Sequence, residues 1–429
     1  MHSFDITIEN LSKMEGHANL NVKIRDGKVQ DVEFQILESK RFYEEAVRGQ
    51  PIQTAPQLMS RICGTCSIAH LLCSIEAIEN AVGIQPTEQT MAMKKLAQYG
   101  LMIRDHALHL YYFSLPDLIG KDSILDFSED NALEHQLLHD SFDIKRAGNA
   151  LSTLIAGKAV HAPFPTVGGF LHYPGKEECD KTIHELEHAR SRALQLVETF
   201  GEWNQSFERK TDFVGLTPKD FNFIDGQLCN SRGVCVGEKY FMKHLIRVVI
   251  PYSQAHGFEF DGDSYMVGAL ARVNLNQDSL HQSTKRDASK YLKLFPSNNI
   301  FHNNLAQSIE ILHSIDHSIE LLESMEFKSE PLQKVELKNG CDGVGVIEAP
   351  RGTLYYKVEI SKSGKITHAD VIVPTAQNQI NIEKDIGKLV QDNLQAMEKK
   401  QIEFEIEKLI RAYDPCMSCA SHFLKVQWM

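Results

Sequence analysis

The sequence lacks several features that would assign a function class directly. It has no run of about five or more basic residues, and its formal net charge of −12 argues against nucleic acid as its main partner. It has no apolar stretch of about 18 residues, so no transmembrane helix is expected. It has no glycine-rich nucleotide-binding motif, no iron–sulfur set of cysteines and no internal repeat. What remains is an acidic chain of 429 residues, long enough to bury a large core.

The N-terminus and the cysteines indicate the compartment. Met1–Asp5 lacks the basic and apolar regions of a signal peptide, so we expect a cytoplasmic protein. The nine cysteines are an odd number without the spacing of a small disulfide scaffold, which fits a reducing environment. Five stand outside any motif and are expected to be small buried hydrophobic residues, with Cys229 and Cys235 as a weaker metal-binding alternative: Cys73, Cys179, Cys229, Cys235 and Cys341.

Hydrophobic patterns predict a mainly helical protein. Residues 3–37 alternate around Asp26-Gly27 and predict a β-hairpin, as does Thr353–Val373 around Ser363-Gly364. The expected fold class is mainly α (α+β), with a central bundle of long helices and peripheral antiparallel β-hairpins. The helices are expected at 87–114, ended by Pro116, at about 176–200 and 303–326, and at about 382–412 with Asn381 as its N-cap.

Two Cys-x-x-Cys motifs at opposite ends of the chain are its most informative feature. Cys63 and Cys66 precede a helical pattern that begins at Ser67, and Cys416 and Cys419 follow the last helix. Structural zinc sites also use paired motifs, but separate them by roughly 15–20 residues. A four-thiolate site built from both ends must close around a folded domain, which favours a buried catalytic metal. A four-thiolate zinc site is the alternative.

Further short segments accompany the cysteines along the chain. They are Glu15-Gly16-His17, Gly157–His161 with Gly168-Gly169, Gly268–Asn274, Ala349–Gly352, Val373–Thr375 and the final Cys419-Ala420-Ser421-His422. In order and placement, these segments and the cysteine motifs resemble the large subunits of nickel–iron hydrogenases across most of the chain. The resemblance implies the hydrogenase large-subunit fold and the reversible heterolytic cleavage of H2 into protons and electrons.

The resemblance also implies the metal ligands. Cys63 and Cys416 match the terminal nickel ligands, whereas Cys66 and Cys419 match the thiolates that bridge nickel and iron. The iron in this family carries carbon monoxide and two cyanide ligands. Soft thiolates suit metals that change oxidation state. Matching residues around these diatomic ligands are Arg351, Pro374 and Thr375, and His70 matches a histidine that hydrogen-bonds a bridging sulfur.

Three carboxylates match acidic residues of the family's site. Glu15 matches the first proton acceptor beyond the terminal cysteine. Asp105 and Asp414 match carboxylates that surround the open site and pair with the arginine. For Glu15 and Asp105 the alternative is an ordinary solvated acid at a strand end or on a helix surface.

A second metal site and a processed tail are implied at the C-terminus. Glu44, the backbone carbonyl of Val371 and His422 match a site for a magnesium-like ion. Because histidine is an unusual ligand for so hard a cation, iron or another ion stays open. The family is cut after the histidine that follows the last cysteine. We therefore expect residues 1–422 to form one domain, and a maturation endopeptidase, acting with nickel chaperones, to remove 423–429.

The short chain, Ser418 and the short tail resemble the cytoplasmic bidirectional group that is linked to NAD(P). This implies that an iron–sulfur small subunit is the partner, with flavin or NAD(P) and ferredoxin-like electron-transfer subunits. The alternative within the family is the methanogen type linked to deazaflavin or heterodisulfide reductase. Membrane-bound energy-converting types carry arginine where this chain has His422. From other classes, a zinc-stabilised module and a degenerate structural subunit, like the one in respiratory complex I, stay open.

Overall fold

Long helices form the body of the protein. The structure is a computed structural model and describes residues 3–39 and 42–421. The α-helices in this part of the chain are α1 (Tyr43–Ala46), α2 (Ala55–Met59), α3 (Ser67–Val82), α4 (Glu88–Leu108), α5 (Leu115–Ile119), α6 (Ala132–Ala156), α7 (Lys176–Gly201), α8 (Ala269–Asn276), α9 (Gln282–Asp287), α10 (Ser289–Leu292), α11 (His302–Ser324), α12 (Pro374–Asn393), α13 (Lys399–Ala412) and α14 (Met417–Ala420). Among these described residues, no helix is long and apolar enough to cross a membrane.

The strands form small, mostly antiparallel sheets. They are β1 (Phe4–Ile8), β2 (Ala18–Arg25), β3 (Lys28–Ile36), β4 (Pro165–Thr166), β5 (Gly169–Phe170), β6 (Asp212–Thr217), β7 (Gln227–Asn230), β8 (Cys235–Val236), β9 (Leu245–Val249), β10 (His256–Phe260), β11 (Tyr265–Met266), β12 (Cys341–Ala349), β13 (Gly352–Ile360) and β14 (Ile366–Ile372). Their orders are β1-β2-β3, β4-β5, β11-β6-β7-β8, β10-β9 and β12-β13-β14. β11 runs parallel to β6, and the other described pairs are antiparallel.

The packing brings α3, which follows the first cysteine pair, against the β12–β14 sheet. Helices α4, α6, α7 and α11 pack on one another as a bundle, and α3 packs on β12 and β13. Close approach depends on two glycines of β12. A Cβ at Gly343 would lie 2.2 Å from the Ala77 carbonyl oxygen, and one at Gly345 would lie 2.4 Å from that of Cys73. The sheet therefore rests directly on the backbone of α3.

The predicted fold class is confirmed. The first hairpin appears as β2 and β3 around Asp26-Gly27, and the second as β13 and β14 around residues 361–365. The helices predicted near 176–200 and 303–326 are α7 and α11. The patterns missed α6, the third strand β12 of the second sheet and the sheet built around β6.

The prediction of one helix over 382–412 was wrong. The segment forms two helices, α12 and α13, and Asn381 lies buried inside α12 rather than at an N-cap. The earlier start is set by Pro374, whose fixed φ and missing N–H suit the first helical turn. A capping box of Glu398 and Gln401 starts α13.

Pro116 does not end the helix that was predicted over 87–114. Regular α-helix stops at Leu108, a π-helical segment covers His109–Ser114, and α5 then continues to Ile119. Pro116 lies in the first turn of α5, where no hydrogen bond from its nitrogen is needed. Gly120, in the left-handed conformation with φ of 75°, ends the segment.

Two of the cysteines outside the motifs also differ from expectation. Cys229 and Cys235 form a disulfide, because they lie opposite each other on β7 and β8. Their assignment as reduced hydrophobic residues was wrong. Cys73 and Cys179 are buried as expected, whereas Cys341 is only half-buried.

Candidate metal centre

The first cysteine pair stands on the turn that leads into α3. Cys63 has extended backbone, and Cys66 is the cap residue of the helix. The Thr65 carbonyl accepts a 2.7 Å hydrogen bond from the Arg104 guanidinium of α4, and the Thr65 hydroxyl lies 3.1 Å from Cys63 Sγ. Arg104 thus fixes the turn against the bundle. The helix N-terminus by itself favours negative charge on Cys66, as its position in the sequence predicts. The predicted thiolate is not what the surroundings favour: contacts with Cys416 and Cys419 lower the pKa of Cys66, but Cys63 and burial raise it above its usual value.

The second cysteine pair is held between two distant parts of the chain. The Cys416 N–H donates to Thr375 Oγ1 at the start of α12, 2.9 Å away. The Met417 N–H donates to the backbone carbonyl of Glu15, also at 2.9 Å. The neighbouring Gly16 has φ of 85°, and a Cβ there would lie 2.7 Å from Met417 Cβ. Only glycine therefore lets the N-terminal segment approach the second motif.

Four sulfur atoms from both ends of the chain converge in the interior. Cys63 Sγ lies 3.5 Å from Cys416 Sγ, and Cys419 Sγ lies 3.1 Å from both Cys66 Sγ and Cys416 Sγ. All four residues are buried, and all four sulfur atoms lie within 4.8 Å of one another. Sulfurs that share one ion at metal–sulfur distances of about 2.3 Å lie at most about 4.6 Å apart, and the three separations above are shorter than that.

The protein alone does not stabilise four thiolates. Hydrogen bonds from the Cys416, Cys419 and Cys66 thiols hold the pKa of Cys63 well below its usual value. The contacts with the other three thiols raise the pKa of Cys416 well above its usual value, and burial does the same to Cys419. The cluster by itself favours one thiolate shared among thiols. A bound cation is what would make all four sulfurs anionic ligands.

A buried arginine lies beside the cluster between two carboxylates. Arg351 is 3% exposed and pairs with Asp105 and, at 3.0 Å, with Asp414. Burial alone would lower the pKa of Arg351, but Asp105, Asp414 and the sulfurs of Cys416 and Cys66 raise it well above its usual value. Burial raises the pKa of Asp105, and Arg351 opposes that shift. Asp414, directly before Pro415, has φ of 51°, in the left-handed region that non-glycine residues rarely adopt, and its side chain pairs with Arg351.

An extended ion-pair network fixes the turn that carries Arg351. Arg272 of α8 forms a double hydrogen bond with Glu310 at 2.6 Å and pairs with Glu348 at 2.8 Å. It also donates to the backbone carbonyls of Ala349 and Pro350, the two residues before Arg351. The sequence alone assigned no role to the Gly268–Asn274 segment. The structure shows that its arginine, Arg272, holds this network together.

Glu15 reaches the cluster directly. Its Oε2 lies 3.0 Å from Cys416 Sγ and accepts the backbone N–H of Ser418 at 3.1 Å. Its Oε1 accepts the Ser418 hydroxyl at 2.5 Å. Glu15 is half-buried, so it contacts a cluster sulfur on one side and is partly exposed to solvent. The fully solvated alternative for Glu15 does not describe this position.

His70 contacts the other side of the cluster. Its Nε2 lies 3.6 Å from Cys419 Sγ, and its Nδ1 lies 2.7 Å from the hydroxyl of Tyr356 on β13. Tyr356 thus holds the imidazole with one nitrogen towards sulfur. Sequence reasoning missed Tyr356 and Arg104, and it used Ser418 to assign the group but not as a partner of Glu15. Arg104 gave a local signal, because it is adjacent to Asp105.

The predicted second metal site is described only in part. Glu44 Oε1 accepts the backbone N–H of Val371 at 2.8 Å, so the structure brings these two residues together. Val371 lies opposite Tyr356 in the β13–β14 ladder. His422, the third residue assigned to this site, lies outside the described residues, as does the expected cleavage point after it.

The centre fits a nickel- and iron-containing group on its own chemistry. Its donors are four thiols in contact, and soft sulfur ligands suit these metals. Among the described residues, Asp105 Oδ1 and Arg104 Nε are buried polar atoms without a hydrogen-bond partner, and both residues lie beside the cluster. Unsatisfied polar atoms at a buried charged site are what an additional bound group would complete. The fold and this site define a metalloprotein with a buried, thiolate-ligated centre.

Comparisons with known proteins agree. Residues 41–140 and 244–422 match the family described as nickel-dependent hydrogenase. The chain is 31% identical to the alpha subunit of sulfhydrogenase 2 from Pyrococcus furiosus over 424 residues, covering 98% of this chain and 100% of that protein. It is 29% identical to a subunit of the F420-non-reducing hydrogenase from Methanothermobacter marburgensis, covering 98% and 95%. Its structure resembles an NAD+-reducing [NiFe]-hydrogenase in the H2-reduced state, with a TM-score of 0.82 and 26% identity, covering 98% and 99%. The chain belongs to the nickel-dependent hydrogenase family.

Proposed function

We propose that this chain is the catalytic subunit of a nickel–iron hydrogenase that cleaves H2 reversibly into protons and electrons. The single observation that carries this function is the convergence of Cys63, Cys66, Cys416 and Cys419 in one buried cluster, with Glu15 and Arg351 beside it. A zinc module needs only the four sulfurs. It would leave the buried Arg351 and the Glu15–Cys416 contact without a purpose.

The four thiols would hold a nickel ion and an iron ion that carries carbon monoxide and two cyanides. Cys63 and Cys416 are assigned as terminal nickel ligands, and Cys66 and Cys419 as the bridging pair. This division follows the family resemblance rather than the distances, because Cys419 Sγ lies 3.1 Å from both Cys66 Sγ and Cys416 Sγ. The metal group would supply the redox centre at which H2 is split.

The surrounding side chains would bind the diatomic ligands and tune the sulfurs. Arg351 places a rigid set of cationic donors beside the cluster, which suits an anionic cyanide. Thr375 accepts from the Cys416 N–H, which leaves its hydroxyl proton to donate, and Pro374 fixes that turn. His70 donates or accepts at Cys419 Sγ and would adjust its basicity.

The proton released by H2 cleavage would leave through Cys416 and Glu15. The two groups lie 3.0 Å apart, within reach of direct proton transfer. Ser418 donates to both Glu15 oxygens, so it orients the carboxylate towards the sulfur. Asp105 and Asp414 would keep Arg351 in place and neutralise it while charge at the cluster changes.

The electrons would pass to the clusters of an iron–sulfur small subunit. From there they would reach NAD(P) in the cytoplasm, through flavin and ferredoxin-like subunits. The structural likeness to an NAD+-reducing hydrogenase supports this acceptor. The likeness to an F420-non-reducing hydrogenase of a methanogen supports the alternative, a chain that feeds a deazaflavin- or heterodisulfide-linked partner. Copurification of the neighbouring subunits separates the two: an NAD(P)-binding flavoprotein supports the first, and its absence from an active complex refutes it.

Maturation would complete the site. We propose that an endopeptidase cuts after His422 once nickel chaperones have loaded the metal, and that Glu44, Val371 and His422 then bind magnesium or iron. The Glu44–Val371 contact supports this location. Intact-mass spectrometry of the active enzyme should show a chain that ends at His422. A full-length active chain would contradict the proposal.

Elemental analysis of the purified complex tests the proposed function as a whole. Nickel together with iron, and exchange of hydrogen with deuterium, are expected. Zinc alone would support a zinc-stabilised module, and absence of metal from a mature chain would support a degenerate structural subunit.

A further inference from the structure

A second group of metal-ligand side chains lies at the start of α6. Glu129 stands in the turn before the helix, and His135 and His139 are the fourth and eighth residues of the helix. One ligand atom from each residue lies within 4.8 Å of the others. The two imidazole rings have centroids 4.4 Å apart and are tilted by 45°. The group is at the surface, with side-chain exposures of 45% for His135 and 73% for Glu129.

We propose that Glu129, His135 and His139 form a binding site for one divalent transition-metal ion of the Zn²⁺ or Ni²⁺ class. The proposal is independent of the four-cysteine centre and of the function assigned to it. Imidazole nitrogen and carboxylate oxygen are ligands that such ions prefer. Two histidines four residues apart share one face of a helix, a spacing that lets both bind one ion.

The distances support one shared ion. Ligands at metal distances of about 2.0–2.2 Å lie at most about 4.2 Å apart. Glu129 Oε2 and His135 Nε2 are 3.6 Å apart and already meet this limit. That separation is longer than the usual hydrogen-bond range of about 2.7–3.2 Å, so the pair is not a direct hydrogen bond. The other ligand-atom separations are at most 4.8 Å, close to this limit.

The turn that carries Glu129 is fixed in place. Asn131 caps α6 by accepting from the N–H groups of Leu133 and Glu134. The Ser128 N–H donates to Glu134 Oε2 at 2.6 Å, and the Asn131 N–H donates to the Ser128 carbonyl at 3.1 Å. The loop is thereby tied to the first turn of the helix on both sides of Glu129. The backbone at Glu129 would therefore lose little further freedom on binding an ion, and the main entropic cost would be the ordering of the exposed side chain.

The competing explanation is an ion pair that forms only when His135 is protonated. Exposed ion pairs contribute little to stability, and such a pair does not require His139. A metal site requires all three residues. Substitution of His139 therefore separates the two explanations.

The test is calorimetric titration of Zn²⁺ into the purified complex whose cysteine centre is already loaded. Nickel and iron contents are measured before and after, so that exchange at the cysteines is detected. We expect one additional Zn²⁺ with a dissociation constant in the micromolar range or tighter. His139→Ala and His135→Ala should each weaken binding by roughly tenfold or more, and Glu129→Gln should weaken it to a smaller extent.

A second pair of histidines on α7 provides the matched control. His184 and His188 are also four residues apart, but they are not grouped with a third ligand atom within 4.8 Å in the described structure. His184→Ala/His188→Ala should bind Zn²⁺ as tightly as the unmodified complex. Unchanged affinity in His135→Ala/His139→Ala, or no additional zinc in the unmodified complex, would overturn the proposal. All four histidines are on the surface, where substitution has little effect on folding.

Discussion

Cys416 Sγ lies 3.0 Å from Glu15 Oε2, although the two residues are 401 positions apart in the chain. Their backbones are also in contact, because the Met417 N–H donates to the Glu15 carbonyl at 2.9 Å. The N-terminal segment and the second cysteine motif therefore form one local unit. This unit is the proposed exit for the proton.

Glu15→Gln should remove the proton acceptor while keeping the size of the side chain and one oxygen that can accept from Ser418. H2 oxidation is expected to fall by about 10²–10⁴-fold, the range of a lost acid–base group. Nickel and iron contents should stay unchanged, because Glu15 is not assigned as a ligand. Glu9→Gln, an exposed residue of the same segment, is the control and should retain activity. Full activity of Glu15→Gln would exclude this proton route.

Arg351→Lys keeps one positive charge but loses the planar set of donors that reaches both Asp105 and Asp414. We expect H2 oxidation to fall by about 10²-fold or more in a protein that still folds. Activity and nickel content are measured together. Arg286→Lys, on an exposed part of α9, is the matched control. An Arg351→Lys enzyme as active as the original would show that the guanidinium geometry has no function.

Thr375→Val removes the oxygen that accepts the Cys416 N–H at 2.9 Å. A buried N–H group left unsatisfied costs about 1–3 kcal/mol. The second motif should therefore hold its metal less firmly, and nickel loss to a chelator should be faster than in the original protein. Thr375→Ser keeps the hydroxyl and should behave as the original. Equal nickel retention in the valine and serine variants would count against this hydrogen bond.

Arg272→Met leaves Glu310 and Glu348 buried without their cation. Removing one partner of a buried ion pair costs about 3–5 kcal/mol, so chemical denaturation should show a loss of that size. The free energy of unfolding of Arg286→Met, on the surface, should change by less than about 0.5 kcal/mol. If Arg272→Met also changes the free energy of unfolding by less than about 0.5 kcal/mol, the network does not support the turn that carries Arg351.

Glu383 should make the stability of the protein depend on pH. Burial raises its pKa from 4.5 to about 7, while the Phe34 N–H and the Tyr252 hydroxyl donate to it. The folded state binds this proton more tightly than the unfolded state. Its stabilising effect is therefore complete below pH 4.5 and is lost as the pH rises to about 7.

In Glu383→Gln this decline in the free energy of unfolding should be flatter between pH 4.5 and 7. The measurement is urea denaturation at a series of pH values. Glu359→Gln, exposed on β13, should leave the pH profile unchanged. Parallel profiles for Glu383→Gln and the original protein would refute the assigned titration.

The site residues that could be recognised from the sequence are those that stand in short motifs. The two cysteine pairs, Glu15 and Arg351 could be predicted because each stands in a short segment of distinctive residues. The structure adds what no local pattern contains. Tyr356 behind His70 and Glu310 beside Arg272 are contacts between distant segments, set by how β13 and α11 pack.

The errors have the same origin. The break between α12 and α13 separates two amphipathic patterns that run on without interruption, so periodicity alone joined them. The Cys229–Cys235 disulfide depends on the register of β7 and β8, which the sequence does not show. Asparagine is a residue type that commonly caps helices, but Asn381 lies inside α12, and its side chain donates to the hydroxyl of Tyr413.

Hydrogen–deuterium exchange by the purified complex, with its metals quantified, is the most direct test of the central claim. The unmodified protein should contain nickel and iron and form HD from H2 in D2O. Cys416→Ser should form none, whereas Cys341→Ser, a cysteine outside the cluster, should remain active. HD formation by Cys416→Ser, or zinc in place of nickel and iron in the unmodified protein, would contradict the account.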